Sequence, residues 1–217
     1  MLQGEREIYL GSDCQRFDDN HLMFCPVNIP ISGHIKSASP ERPVIVMSMR
    51  LDLPLIREVL AKMPPKSATQ GSNLGIKWPL DNTIMDSFER LIGLLHYPND
   101  IYFLAPLLLQ EIYYRLLNAE QGEKLRQLVT NGSHTHQISQ ATDWLKRHLN
   151  ETVVIEKLAL KVGMSESGFY QHFKALTGFS PLQYQKSLRL MEARRLIRLG
   201  DKQVSQIALD VGYELSL

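Results

Sequence analysis

The sequence predicts an α+β chain, with a small sheet and several helices in residues 1–133 and an all-helical region in residues 134–217. Two observations lead to this prediction. The first ~50 residues contain short β-branched and apolar runs separated by Gly, Pro, Ser and Asp, as in short strands joined by turns. After Leu53 the apolar residues recur every three or four positions, which is the period of a helix.

The composition is that of a soluble globular protein. The 217 residues are 44% hydrophobic and 22% charged, and no apolar run reaches the ~18 residues of a membrane span. Residues 1–7 lack the apolar stretch of a secretory signal. Cys14 and Cys25 have no zinc-ligand spacing and are expected to be reduced thiols. We therefore expect a cytoplasmic protein with no membrane partner.

Charge is distributed unevenly along the chain. Residues 134–217 contain 11 Lys and Arg against 8 Asp and Glu, whereas residues 1–133 contain 13 against 15. Within residues 174–202 the counts are 7 against 2. A basic region joined to an acidic one suggests a module that binds a polyanion.

The elements of residues 1–133 are predicted in chain order. Strands are expected at residues 7–10, 21–24, 28–36 and 44–53, the last being the most β-rich. Helices are expected at 54–63, after the N-cap Asp81, and at 99–118 with a kink or restart at Pro106. Residues 64–80 are expected to form a loop, and residues 131–133 a linker.

The third of these helices carries a wide apolar stripe. It consists of Leu108, Ile112, Tyr113 and Leu116. Core packing is the preferred interpretation, and a seam between two copies of the chain is the alternative.

A seven-residue pattern occurs twice in the helical region. Residues 158–164 (LALKVGM) recur 49 residues later as residues 207–213 (IALDVGY). In each copy a small Ala precedes a Gly by four positions. Ala allows two helices to cross closely, and Gly adopts the left-handed conformation of the turn between them. Two copies in a basic region predict a pair of helix-turn-helix units, which bind DNA in the major groove.

The first copy predicts which residues pack and which face DNA. The residues expected to pack the two helices together are Leu158, Ala159, Val162, Gly163, Phe169 and Phe173. Ser165 caps the second helix, and the opposite face of that helix presents Ser167, Tyr170, Gln171 and Lys174. We expect Gln171 to contact adenine and Lys174 to contact phosphate. Ordinary solvation of these side chains is the alternative.

A long helix is predicted from Pro181 to Leu199. Ser180 and Gln183 form a capping box before it, and Gly200 ends it. Its length of ~28 Å is close to one turn of DNA, so that it suits the spacing of two reading heads. Lys186 and Arg189 on this helix are expected to bind phosphates.

Residues 138–213 resemble the paired helix-turn-helix domain of the AraC/XylS family of transcription regulators. The resemblance rests on Gly163-Met164-Ser165, His172-Phe173-Lys174, Thr177-Gly178, and Ser180-Pro181-Leu182-Gln183-Tyr184. Upstream, Pro30-Ile31-Ser32-Gly33 and residues 104–107 and 111–117 resemble the cupin-like N-terminal domain of one branch of that family.

The resemblance implies a transcription regulator rather than an enzyme. It implies double-stranded promoter DNA as partner, a small-molecule effector, a homodimer and no cofactor. Members of this type start earlier and end later, so we expect a partial cupin-like domain in residues 1–133. In residues 134–217 we expect a complete first helix-turn-helix and a shortened second one.

Two further interpretations remain open. In one, the chain only dimerises or binds DNA weakly through one helix-turn-helix, and does not regulate by itself. In the other, it is a cupin enzyme with a helical tail, which would need a metal site. His134 and His136 have the spacing of cupin metal ligands but are expected in the linker, and His21 and His34 are expected among the strands without matching ligand spacing. No metal is therefore expected.

Overall fold

The computed structural model describes residues 3–10, 13–65 and 77–213, which fold into two compact units. The first unit contains most of the residues up to Ser133. The second contains the described residues from His134 onward, together with those of two short earlier segments, Tyr9–Cys14 and Val27–Ser32. Strands occur before residue 80 and helices dominate the rest, so the predicted α+β class is confirmed. That residues 1–133 and 134–217 act as separate functional domains stays a prediction.

Two small sheets form in the first part of the chain. The strands are β1 (Glu5–Leu10), β2 (Asp13–Phe17), β3 (His21–Met23), β4 (Ser32–Ser37) and β5 (Lys77–Pro79). Three of them form a sheet in the order β2-β1-β4, and β3 pairs with β5 in antiparallel register, with Leu22 opposite Trp78. β2 and β5 were not expected from the sequence, whereas β1, β3 and β4 overlap predicted strands.

The central strand β1 has two chemically different faces. Glu5 forms an ion pair with Arg16 on β2, and Glu7 forms one with Lys36 on β4 at 2.8 Å. Because successive side chains of a strand alternate, Arg6 and Ile8 lie on the opposite face, where Ile8 is buried.

The prediction of a strand at residues 44–53 is wrong. Only an isolated bridge between Ile45 and Gln3 forms there. The side chains nevertheless alternate, since Met47, Met49 and Leu51 pack against the core while Val46 is exposed. The sequence pattern therefore reported one buried face correctly, but a strand also needs a neighbouring backbone to complete its hydrogen bonds.

Helices complete the first unit. They are α1 (Leu53–Lys62), α2 (Asn82–Gly93), a 3-10 turn (Leu94–His96), α3 (Pro98–Asn118) and α4 (Glu123–Val129). Asp52 and the predicted Asp81 cap α1 and α2, each accepting a hydrogen bond from a backbone N–H three residues later. The predicted loop at 64–80 ends in β5, and its residues 66–76 lie outside the described part of the chain.

The long helix α3 differs from one part of its prediction and agrees with another. It passes through Pro106 without restarting, although Pro106 has no N–H for the carbonyl of Tyr102. Its predicted stripe belongs to the core, because Ile112, Tyr113 and Leu116 are buried. The seam interpretation is therefore wrong for these residues.

Glu111 joins α3 to α2. Its carboxylate accepts hydrogen bonds from Arg90 and from Ser87 (3.2 Å) on α2, and from Arg115 (2.7 Å) one turn later on α3. The Arg90 guanidinium first, and then that of Arg115, lower the pKa of Glu111 to about 2. These contacts keep Glu111 ionised and hold the two helices in register.

The second unit consists of helices, most of which pack around one apolar cluster. They are α5 (His134–Arg147), α6 (Ile155–Lys161), α7 (Glu166–Thr177), α8 (Pro181–Leu199) and α9 (Val204–Asp210). Ile138 and Leu145 of α5 contribute to the cluster, as do Ile155 of α6 and Tyr184 of α8. His134 therefore begins a helix, whereas the sequence analysis had placed it in a linker.

Candidate nucleic-acid interface

The first helix-turn-helix consists of α6, α7 and the turn at residues 162–165. The N–H of Gly163 donates to the Leu160 carbonyl at 3.0 Å, and the N–H of Met164 donates to the Ala159 carbonyl at 2.9 Å. Gly163 has a φ of 74°, in the left-handed region. Together these features form a Schellman motif, which satisfies the last carbonyls of α6 and turns the chain sharply into α7.

The two helices meet through buried side chains. Leu158, Ala159 and Val162 from α6 are buried, as are Phe169 and Phe173 from α7. The two phenylalanine rings lie 5.3 Å apart, a distance typical of stabilising aromatic pairs. All the residues expected to pack this motif thus lie inside it or, in the case of Gly163, at its turn.

The outer face of α7 is polar and exposed. Ser167, Tyr170, Gln171 and Lys174 all lie at the surface of the second unit. They span two turns of the helix, or ~10 Å along its axis. A helix with one face anchored in a core and the other covered by an amide, a phenol and an ammonium group can enter a DNA groove without unfolding its support.

Ser165 fixes the start of α7. Its Oγ accepts a hydrogen bond from the backbone N–H of Gly168 at 3.3 Å, and Glu166 follows in the first turn. Ser165 is itself exposed. The positive end of the helix dipole therefore lies at the surface, where it favours an anion such as a DNA phosphate.

The helix α8 carries five of the eleven Lys and Arg residues found from residue 134 onward. The capping box between Ser180 and Gln183 begins it, and Gly200 ends it with a φ of 77°. Lys186, Arg194 and Arg198 are exposed along its length.

The repeat continues in structure as well as in sequence. In the second copy the N–H of Gly212 donates to the Leu209 carbonyl, and that of Tyr213 donates to the Ala208 carbonyl, both at 2.9 Å. Gly212 has a φ of 90°. The end of α9 therefore repeats the Schellman motif of α6, as expected for a second helix-turn-helix.

Comparison with known proteins identifies the family. A family model described as the AraC-type transcriptional regulator N-terminus matches residues 1–124, which is more than half of the chain. The chain belongs to the AraC family. A helix-turn-helix domain model also matches residues 158–216. The family resemblance of the sequence motifs is therefore confirmed.

Several relatives of this AraC-family chain are transcriptional activators. The HTH-type transcriptional activators RhaS from Salmonella schwarzengrund (strain CVM19633), Salmonella paratyphi A (strain ATCC 9150 / SARB42) and Salmonella newport (strain SL254) are each 28% identical to it over 137 residues. The match covers 63% of this chain and 49% of each relative. The chain thus spans about half the length of the curated relatives that it matches.

One predicted phosphate contact of this AraC-family chain needs correction. The guanidinium of Arg189 donates to the backbone carbonyls of Leu149 (2.8 Å), Glu151 (2.9 Å) and Gly212 (2.9 Å). Most of its hydrogen-bonding capacity is therefore used inside the fold. Arg189 holds the second turn against the loop between α5 and α6, and we assign it a structural role in place of DNA contact.

Other residues of the site were not expected from the sequence. Gln137 donates to the Gly163 carbonyl at 3.2 Å and so supports the first turn. Tyr184 packs its ring edge-on against Phe173, and burial raises the pKa of its hydroxyl. Its place in the motif at residues 180–184 was the one available signal.

A histidine pair lies at the back of α7. The rings of His134 and His172 are 3.7 Å apart. Burial, and then the neighbouring His134, lower the pKa of His172. Both effects therefore favour the neutral form of the His172 ring.

Within residues 3–10, 13–65 and 77–213, no group of three His, Cys, Asp or Glu side chains is arranged to hold a metal ion. Among the helices in those same ranges, none has both the length and the apolarity to cross a bilayer.

Proposed function

We propose that this AraC-family chain is a transcription regulator that binds double-stranded promoter DNA through α7. The observation that carries the proposal is the two-sided construction of α7. Phe169 and Phe173 anchor it in a core, while its polar face is exposed after a tight turn. This is the geometry that a recognition helix needs in the major groove.

Each exposed residue of α7 has a chemical role in this proposal. The Gln171 amide suits the paired donor and acceptor of adenine, and Lys174 suits a phosphate oxygen. Ser165 and Ser167 lie near the positive end of the helix and would hydrogen-bond to the backbone, while Tyr170 would contact the sugar or a base edge. Lys186 would bind a phosphate beside the first groove.

The linking helix α8 would set the spacing of two reading heads. Its 19 residues span ~28 Å, close to the rise of one DNA turn. Since Arg189 holds the turn of the second head, the position of that head relative to α8 is well defined in the second unit.

A homodimer is proposed through the N-terminal half of α3. Tyr102 and Phe103 are 92% and 71% exposed, and Leu107 beside them is also exposed. Large apolar side chains clustered on one helix are typical of an interface. Dimerisation would place two copies of α7 on one operator, which is the usual arrangement of helix-turn-helix regulators.

The regulator is also proposed to respond to a small molecule through its first unit, and to act in the cytoplasm, where bacterial DNA lies. A binding role, rather than catalysis, follows from the proposed contact with DNA.

Salt-titrated DNA binding tests the proposal. A preferred sequence would first be selected from random duplex DNA, and its affinity then measured by fluorescence anisotropy at 50 to 200 mM salt. We expect selective binding whose logarithm falls linearly with that of the salt concentration, because bound lysines release counterions from the phosphates. If the chain does not bind DNA, or if its affinity depends on neither the salt concentration nor the DNA sequence, the proposed function is refuted.

A further inference from the structure

A cavity of about 310 Å³ lies within the first unit. Its walls come from β3 and the residues after it, from residues 46–49 and Leu51, and from the inner faces of α2 and α3. This volume is at the lower end of the range for small-molecule sites, and corresponds to a ligand of about ten non-hydrogen atoms.

The wall of the cavity is mainly apolar and rich in methionine. Met23, Met47, Met49 and Met85 contribute flexible thioether side chains. Such side chains adapt to apolar ligands of different shape. A ligand with many hydroxyl groups, such as a sugar, would leave most of them without partners there.

One cationic group stands out in this apolar wall. Arg6 lines the cavity, and its Nε is buried without a hydrogen-bond partner among the described residues. The carboxylates of Glu5 and Glu7 lie on the other face of β1, where they pair with Arg16 and Lys36. No acidic residue is among the described residues that line the cavity.

The other polar residues of the wall do not compete for this role. His21 is engaged with Asp18, whose carboxylate lies 2.5 Å from its Nδ1. Burial raises the pKa of the Cys25 thiol to about 11, so that it stays neutral and does not act as a nucleophile near pH 7. The unsatisfied donor of Arg6 is therefore the feature that selects a ligand.

We propose that this cavity binds a small, mainly apolar carboxylate, whose oxygens accept hydrogen bonds from Arg6 while its hydrocarbon part contacts the methionines. A charge-assisted hydrogen bond in an apolar surrounding is strong, and it satisfies a donor that is otherwise buried alone. The inference rests on the proposed regulator having a small-molecule effector, and it names the chemical class of that effector.

Isothermal titration of the whole chain tests the chemical class. The probes are benzoate and hexanoate, with benzyl alcohol as a neutral match for benzoate and glucose as a polyhydroxyl compound. We expect both carboxylates to bind, benzyl alcohol to bind about tenfold more weakly or worse, and glucose not to bind. Equal affinity for benzyl alcohol, binding of glucose alone, or no heat with either carboxylate would overturn the inference.

Two matched pairs of variants locate the site. Arg6→Met keeps the apolar stem and should weaken benzoate by about tenfold or more, whereas Arg50→Met, at an exposed position outside the cavity wall, should not. Val46→Trp at the rim should also block binding, whereas Ile45→Trp, similarly exposed but outside the wall, should not. Circular dichroism checks that all four variants fold. Unchanged affinity in both Arg6→Met and Val46→Trp would place the ligand elsewhere and refute the assignment.

DNA binding gives a separate signal. If the chain binds DNA but neither carboxylate, the assignment of the cavity is refuted and the proposed regulator stands. If the chain binds benzoate but no DNA, the proposed regulator is refuted and the assignment of a carboxylate to the cavity stands.

Discussion

Lys174 lies on the exposed face of α7, where an ammonium group is expected to meet a phosphate and not a base. Lys174→Ala should therefore weaken binding to all DNA sequences alike and reduce the salt slope by ~1, because one fewer counterion is released. Anisotropy titrations at several salt concentrations measure both effects. Lys62→Ala, at an ion-paired position in the first unit, is the control and should change neither. A loss confined to one DNA sequence would contradict the phosphate role.

Gln171 lies nearly one helical turn before Lys174 and is expected to read a base. Gln171→Ala should cost ~1–3 kcal/mol on the selected DNA and leave binding to unrelated sequences unchanged, since one amide pair with adenine is lost. Binding to the four variants of each base pair shows whether discrimination relaxes at a single position. Gln140→Ala on α5 serves as the matched control. Unaltered discrimination at every position would remove Gln171 from the reading set.

The residues of the candidate site differ in how well the sequence identified them. Gly163 and Gly212 were predictable because a left-handed turn restricts the residue type, and both have positive φ. Arg189 was misjudged because charge on a long helix suggests solvent or DNA, whereas its carbonyl partners come from distant turns. The unsatisfied Arg6 was not predictable, since its surroundings are assembled from separate segments.

At the scale of elements, the two copies of the turn are alike in backbone but different in surroundings. An added Cβ at Gly163 would meet only the end of Gln137 at 3.5 Å. At Gly212 it would lie 2.6 Å from the Cα of Asn150 and 2.8 Å from the Arg189 guanidinium. The second turn therefore packs directly against the loop between α5 and α6, and Arg189 fastens it there.

Arg189→Ala should destabilise the second unit by ~2 kcal/mol or more, because three carbonyls lose a charged donor at once. Urea unfolding monitored by circular dichroism gives the free energy of unfolding. Arg198→Ala on the same helix has an exposed position and should change it by less than ~0.5 kcal/mol. Equal effects of the two substitutions would show that Arg189 does not hold the turn.

The elements themselves were predicted best where local chemistry decides. Asp81, Ser165 and Ser180 cap the helices that the sequence assigned to them. The strand at residues 44–53 failed because alternation shows which side chains are buried but not whether a partner strand is present. β2 (DCQRF) and β5 (KWP) are short segments with one buried aromatic residue each, Phe17 and Trp78, and their pairing depends on distant residues, so no local pattern marked them.

At the scale of the whole molecule, the stability of each unit is expected to depend on pH through a different titratable group. In the second unit, burial and His134 lower the pKa of His172. A histidine with a lowered pKa in the folded state takes up its proton more readily after unfolding. The contribution of His172 to the stability is therefore complete above pH ~6.5, the usual pKa of histidine, and it is lost as the pH falls through the lowered pKa of the folded state. In the first unit, Arg90 and Arg115 lower the pKa of Glu111 from 4.5 to about 2, so its contribution is lost only between those values.

Lowering the pH from 7.5 to 5.5 should therefore destabilise the second unit and leave the first nearly unchanged. The two tryptophans report the units separately, since Trp78 is buried in the first core and Trp144 packs against the second. Trp144→Phe and Trp78→Phe each leave one reporter for urea unfolding followed by fluorescence. Midpoints are compared rather than intensities, because the ring of His148 stacks on Trp144 at 4.2 Å. Adding His172→Gln should flatten the pH dependence of the unfolding midpoint that Trp144 reports. If that midpoint is constant between pH 7.5 and 5.5 in the chain with His172, the histidine pair does not control the stability of the second unit.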